Sequence, residues 1–172
     1  MEQLIEPELD EKVQEYKGQK MSSVNHSFVQ TRIAGLLFND ERFTPFVELS
    51  LDASQIDLSQ FGLKTKAELI PDVCLYEGRH RFNPSNDILK RADMPLLAVE
   101  ILSPRQGIDE ILGKFKAYFA LSVKSCWLII PPNQSITVYS TAEQFKTFGT
   151  NDTEVNDDKL DIRLSIARLF GK

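Results

Sequence analysis

Three charged residues stand out by type and setting: Asp72, Glu100 and Lys114. Asp72 follows Pro71 in LIPDVCLYEG, where Val73, Cys74 and Leu75 are apolar. Glu100 lies in LLAVEILSP, a short apolar run closed by proline, which is the pattern of a buried central strand. A carboxylate taken out of water costs several kcal/mol unless a cation or strong donors meet it. Two carboxylates on neighbouring strands can converge on one hard cation, and magnesium typically takes one or two carboxylates and keeps several waters. The carbonyl of Ile101, next to Glu100, is a candidate third oxygen. A magnesium centre of this kind, with manganese as substitute, activates water and stabilises charge on a phosphoryl group.

Lys114 belongs to GIDEILGKFKAYFALS, at the border of that segment's apolar side. Its stem can lie on apolar surface while the ammonium reaches the end of the sheet. There it would position an attacking water or offset charge developing on phosphorus. Glu110 and Tyr118 sit one turn to either side, on the same stripe. Glu110 is expected to hold the lysine, and Tyr118 to cap or pack it.

Each residue alone also has a structural account. Asp after Pro is common at turns. Glu100 can pair with Arg105 or Lys114 as a buried ion pair. A helical lysine is most often solvent-facing. Acid, acid and lysine in this order on these elements is rarer than any of these separately.

The positioning elements follow from periodicity. SSVNHSFVQTRIAGLLF opens with serines fit for an N-cap and carries Phe28, Val29, Ile33, Leu36 and Leu37 at helical spacing. FVELSLDAS alternates, with Val47, Leu49 and Leu51 on one face and Phe46, Glu48, Ser50 and Asp52 on the other, predicting one half-exposed strand. Glu48 would supply an outer carboxylate if its face turned toward the site. LIPDVCLYEG and LLAVEILSP predict two further strands. GIDEILGKFKAYFALS predicts an amphipathic helix, with Ile108, Ile111, Leu112, Phe115, Tyr118 and Phe119 along one side. CWLIIP is a buried strand, PPNQ a turn and SITVYST a strand returning as a hairpin. From about Phe145 the tail reads as a polar loop with one last helix or turn near IARLF. A strand, helix, strand segment implies a parallel pair. The expected fold is α/β, a mixed β-sheet flanked by helices.

A chain of 172 residues suits a single domain, with residues 1–20 as an acidic arm and 21–172 as the folded unit. The net charge of −5 argues against passive coating of nucleic acid, although Arg79, His80 and Arg81, or Lys90 and Arg91, offer local basic patches. No stretch approaches the roughly 20 apolar residues of a membrane span. The acidic start MEQLIEPELDEK lacks the regions of a signal peptide, so a cytoplasmic location is expected. Cys74 and Cys126 fall in apolar runs and read as small core residues.

PD followed by an acid in a hydrophobic strand resembles the restriction-endonuclease-like nucleases, whose signature is PD-(D/E)-x-K. PDVCLY, VEILSP, GKFKAYF and CWLIIPPNQSITVYS together resemble the Uma-two family within that superfamily, over about residues 20 to 141. The resemblance implies a restriction-endonuclease-like fold, with Asp72 and Glu100 as ligands of a divalent ion. Leu102 occupies the signature's lysine position, on the same strand face as Glu100. The resemblance implies that the lysine has migrated to Lys114. An Asp is common one turn before that lysine in the family, whereas this chain has Glu110, with Asp109 adjacent. His26 matches a histidine frequent in the family's first helix. The helical wheel turns it inward, and a helix N-terminus should keep it neutral. It reads either as a packed histidine or as a supporting site residue orienting water or phosphate. The implied activity is endonucleolytic hydrolysis of DNA, on DNA or related nucleic acid as partner. The alternative is an inactive nuclease-like scaffold used for binding or oligomerisation. A symmetric homodimer is also expected, with Phe43, Phe46 and Phe61 as candidate contacts.

Overall fold

A computed structural model of the chain describes residues 22–65 and 67–171, and the expected arm over residues 1–20 lies outside them. The first helix, α1, spans Val24–Phe38 and starts where Ser23 caps it, Ser23 Oγ accepting the His26 N–H at 3.1 Å. Strands β1 (Phe43–Val47), β2 (Leu51–Asp52), β3 (Glu68–Leu69), β4 (Val73–Glu77) and β5 (Leu97–Ile101) follow. Helix α2 spans Ile108–Ala120, with Asp109 and Glu110 in its first turn, where the helix dipole favours negative charge. Strands β6 (Ser125–Ile130), β7 (Ser135–Tyr139), β8 (Phe145–Phe148), β9 (Glu154–Asp157) and β10 (Ile162–Ser165) and the short helix α3 (Ile166–Leu169) complete the chain.

Six strands form one mixed sheet in the order β1-β4-β5-β6-β7-β8. Its parallel pair, β5 with β6, is joined through α2, as the strand, helix, strand pattern implies. Period-two alternation divides the sheet between two cores. Val73, Leu75, Val99, Ile101, Trp127 and Ile129 face α1 and its Val29, Ile33 and Leu37. Cys74, Tyr76, Ala98, Cys126 and Leu128 face α2 and its Ile111, Phe115 and Tyr118. Glu100 shares the parity of Ala98, so it emerges beneath α2. Both cysteines are free and buried, as their apolar settings predict. Among the described residues no helix is long and apolar enough to cross a membrane.

Four expectations need correction. FVELSLDAS is not one strand: β1 ends at Val47, Glu48 turns the backbone to φ 52°, and β2 pairs with β3 in a separate ribbon. LIPDVCLYEG likewise divides into β3 and β4, with Ile70, Pro71 and Asp72 between them. Within α1, Phe28 is exposed and lies under the Arg32 guanidinium, because the inward face is already filled by Val29 and Ile33. The tail is richer than a loop. β8 extends the main sheet, and the β9–β10 hairpin is tied to it by Trp127 Nε1, which donates to Asp157 Oδ2 at 2.8 Å.

Candidate active site

Asp72 stands where the pairing of β4 with β5 stops. Val73 is opposite Val99 in an antiparallel register, so one further step sets Asp72 against Glu100. Residues directly opposite in such a pair present their side chains on one face. The Asp72 carboxylate itself closes the ladder: Oδ2 accepts the Ile101 N–H at 2.7 Å. The Asp72 carbonyl accepts the Glu48 N–H at 3.2 Å and Gln30 Nε2 at 2.9 Å. His26 Nε2 lies 3.2 Å from Oδ2. Asp72 is therefore gripped by α1, by the β1–β2 turn and by β5.

Glu100 is only 2% exposed. Its Oε1 accepts the Tyr118 hydroxyl at 2.8 Å and lies 3.7 Å from Lys114 Nζ. Burial, the largest influence, and the Asp72 charge push its carboxyl up to about 7 against the opposing pull of the Lys114 ammonium and the Tyr118 hydrogen bond. Burial, then the Glu100 charge, holds the Tyr118 phenol well above its ordinary range. Lys114 and Tyr118, one helical turn apart on α2, thus reach the same carboxylate. Gly113 sets the approach of that helix. A Cβ there would lie 2.5 Å from the Phe61 carbonyl oxygen, in the 3₁₀ turn Leu58–Phe61.

The helix N-terminus does not dominate the electrostatics of His26, whose proton affinity is raised rather than lowered. Its hydrogen bond to Asp72 is the largest influence and raises its affinity for a proton, outweighing the opposing effect of burial. Charges on Asp72, Glu100 and Glu48 act in the same direction. A carboxylate in direct contact is a stronger field than the first turn of a helix. The ring's Nδ1 is buried without a hydrogen-bond partner among the described residues.

His26, Asp72, Glu100 and Lys114 share a cleft of about 930 Å³. Its walls carry six carboxylates, on Glu48, Glu68, Asp72, Glu100, Asp109 and Glu110, against the ammonium groups of Lys64 and Lys114. Glu110 lines this cleft but does not hold the lysine as expected. The carboxylate that pairs with Lys114 is Glu100, because α2 presses that side of the lysine onto the sheet. Glu48, a weak candidate by sequence, does reach the cleft, carried there by its left-handed backbone. Gln30 was missed, although one signal was present: it is a polar residue among the inward-facing Val29 and Ile33 of α1. Leu102 points to the α2 side of the sheet and is partly buried there.

Among the described residues no group of three or more His, Cys, Asp or Glu side chains forms a ready-made metal cage. Asp72 and Glu100 instead supply two hard oxygen donors beside a cleft large enough for water, the sparse donor set that magnesium accepts. The Asp72 charge also raises the proton affinity of Glu100, a repulsion that a divalent ion held by both carboxylates would offset. The residues fit the ion.

In fold, the chain is similar to a crystal structure from Anabaena variabilis described as a "putative nuclease belonging to DUF820". The TM-score is 0.69 at 22% identity, over 88% of this chain and 83% of that one. No curated protein matches the sequence. The family model Uma2, described as "Putative restriction endonuclease", matches residues 5–167. With that match running over nearly its whole length, the chain belongs to the Uma2 family.

Proposed function

We propose that the protein is a magnesium-dependent endonuclease that hydrolyses phosphodiester bonds in DNA. The observation that carries this reading is the meeting of Asp72, Glu100 and Lys114 in one cleft, with Lys114 Nζ 3.7 Å from the buried Glu100 carboxylate. Asp72 and Glu100 would hold the ion, with the Ile101 carbonyl as a further oxygen. When bound, the ion supplies Lewis-acid activation of water and of the phosphoryl oxygen. Lys114 offsets negative charge on the phosphate and orients the attacking water. Tyr118 keeps the Glu100 carboxylate turned toward Lys114 by its hydrogen bond. The acidic walls repel a polyanion, so substrate entry is coupled to cation binding. Manganese is the expected substitute, a homodimer the expected assembly, and the cytoplasm the expected location.

One observation favours the scaffold reading instead: Leu102 occupies the position of the signature lysine. Purified protein incubated with plasmid and magnesium or manganese decides between them. Nicking is expected, and Asp72→Asn and Glu100→Gln are each expected to lower it by more than about 100-fold with the fold retained. Equal cleavage by wild type and both variants identifies a contaminant and rejects the proposal. Absence of both cleavage and millimolar metal binding rejects the proposal and favours the scaffold.

A further inference from the structure

Gln30 stands four residues after His26 on α1, so the two side chains project from one face of the helix. They take hold of the same residue at its two ends. His26 Nε2 lies 3.2 Å from Asp72 Oδ2, and Gln30 Nε2 donates to the Asp72 carbonyl at 2.9 Å. The Glu48 N–H adds a donor to that carbonyl at 3.2 Å, and the Ile101 N–H adds one to Oδ2 at 2.7 Å. All of these contacts fall on the carbonyl or on Oδ2. Among the described residues none donates to Oδ1.

Both side chains are more than nine-tenths buried, on a helix face otherwise given to Val29 and Ile33. An amide there costs free energy unless its hydrogen bonds are made, whereas an apolar residue of the same length would simply pack. The His26 ring has no second anchor, since Nδ1 is without a partner among the described residues. Asp72 is thus the residue that both side chains contact.

Resting on the reading of Asp72 as a cation ligand, we propose that Gln30 and His26 are positioning residues. Built on α1, they clamp Asp72 from both ends and leave Oδ1 as the oxygen that binds the divalent ion. Neither touches the reacting phosphate. Their contribution is to fix the backbone and the carboxylate plane of one ligand, so that the ion does not have to order it on binding. Groups that orient a ligand in this way typically change metal affinity by about 10–100-fold.

The test uses Mn²⁺ alone, titrated calorimetrically into the full-length protein and followed by electron paramagnetic resonance, with a thermal melt of each metal-free variant. Gln30→Met removes the donor at nearly constant length and is expected to weaken Mn²⁺ binding about tenfold and broaden the bound-ion spectrum. His26→Gln, which keeps an N–H donor, is expected to bind within about threefold of wild type, and His26→Leu about tenfold more weakly. If Gln30→Met melts at much lower temperature, the His26 pair carries the comparison by itself. Asp72→Asn is the reference. If it abolishes Mn²⁺ binding while Gln30→Met and His26→Leu bind like wild type, the clamp is overturned and the metal site stands. Should Asp72→Asn bind like wild type, the metal-site reading fails and takes the clamp with it.

Discussion

Beside the start of β4, next to Asp72, a carboxylate is buried to 2% exposure. Past the end of the same strand, in residues 78–93, Phe82 and Leu89 stand 93% and 89% exposed. One end hides a charge and the other displays apolar groups. The charges of the far segment are also used differently. Arg91 stacks over the Tyr76 ring at 3.8 Å from its centroid and pairs with Asp93, and Arg79 lies over Phe38. Lys90 meets Glu68 at 3.8 Å. Most of the local basic patches read from sequence are therefore occupied within the chain. The difference teaches which anomaly is informative. A buried charge is costly and stays only with partners, whereas isolated exposed apolar residues are ordinary on protein surfaces.

Acidity should separate the two ends most strongly. Burial pushes the folded Glu100 carboxyl up to about 7, above the ordinary carboxylate range, so between that range and pH 7 the native state holds more protons than the unfolded one. Stability must then fall as pH rises through that window. His26, raised by Asp72, adds stability below 6.5 that is lost as pH climbs through its folded value, which is the same sign. Melting of the metal-free protein from pH 5 to 8 is expected to show a loss on the order of 2–3 kcal/mol. Glu100→Gln should flatten most of it, and a profile unchanged by that substitution would remove the buried charge from the comparison.

Next in size is Glu48, whose φ of 52° suits glycine better than a residue with a Cβ. Glu48→Gly is expected to raise stability by about 1 kcal/mol while lowering cleavage, because it relaxes the turn and deletes a cleft carboxylate. A gain in both would mean that the strained turn does not serve the site. The smallest effect belongs to the far end. Phe82→Ser and Leu89→Ser should change stability by less than about 0.5 kcal/mol and leave cleavage unaltered. A larger loss in either assay would turn that segment into a second interface and end the contrast.

Much of this was legible in the sequence, for identifiable reasons. β5, α2, β6 and β7 are apolar runs whose period is imposed by burial, and charge inside such runs singled out Glu100 and Asp72. Lys114 was legible because its place on the helical wheel fixes its reach. The break at Glu48 was not, since alternation continues through residues 46–52 and the residue type gives no warning of a left-handed backbone. Helical spacing proposed Glu110 as the partner of Lys114 but cannot see Glu100 lying across the interface. Gln30 was hidden for a related reason: its partner is a backbone carbonyl 42 residues away, which leaves no trace in side-chain chemistry.

The contact of Gly113 with the Phe61 carbonyl carries a mechanical consequence. Backbone rests against backbone there, without an intervening side chain that could be trimmed or enlarged. The side of α2 that faces the 3₁₀ turn Leu58–Phe61 thereby has no room for a side chain at this position. Lys114 is the very next residue, so a side chain at Gly113 that pushed α2 off the turn would also displace the ammonium that lies 3.7 Å from Glu100.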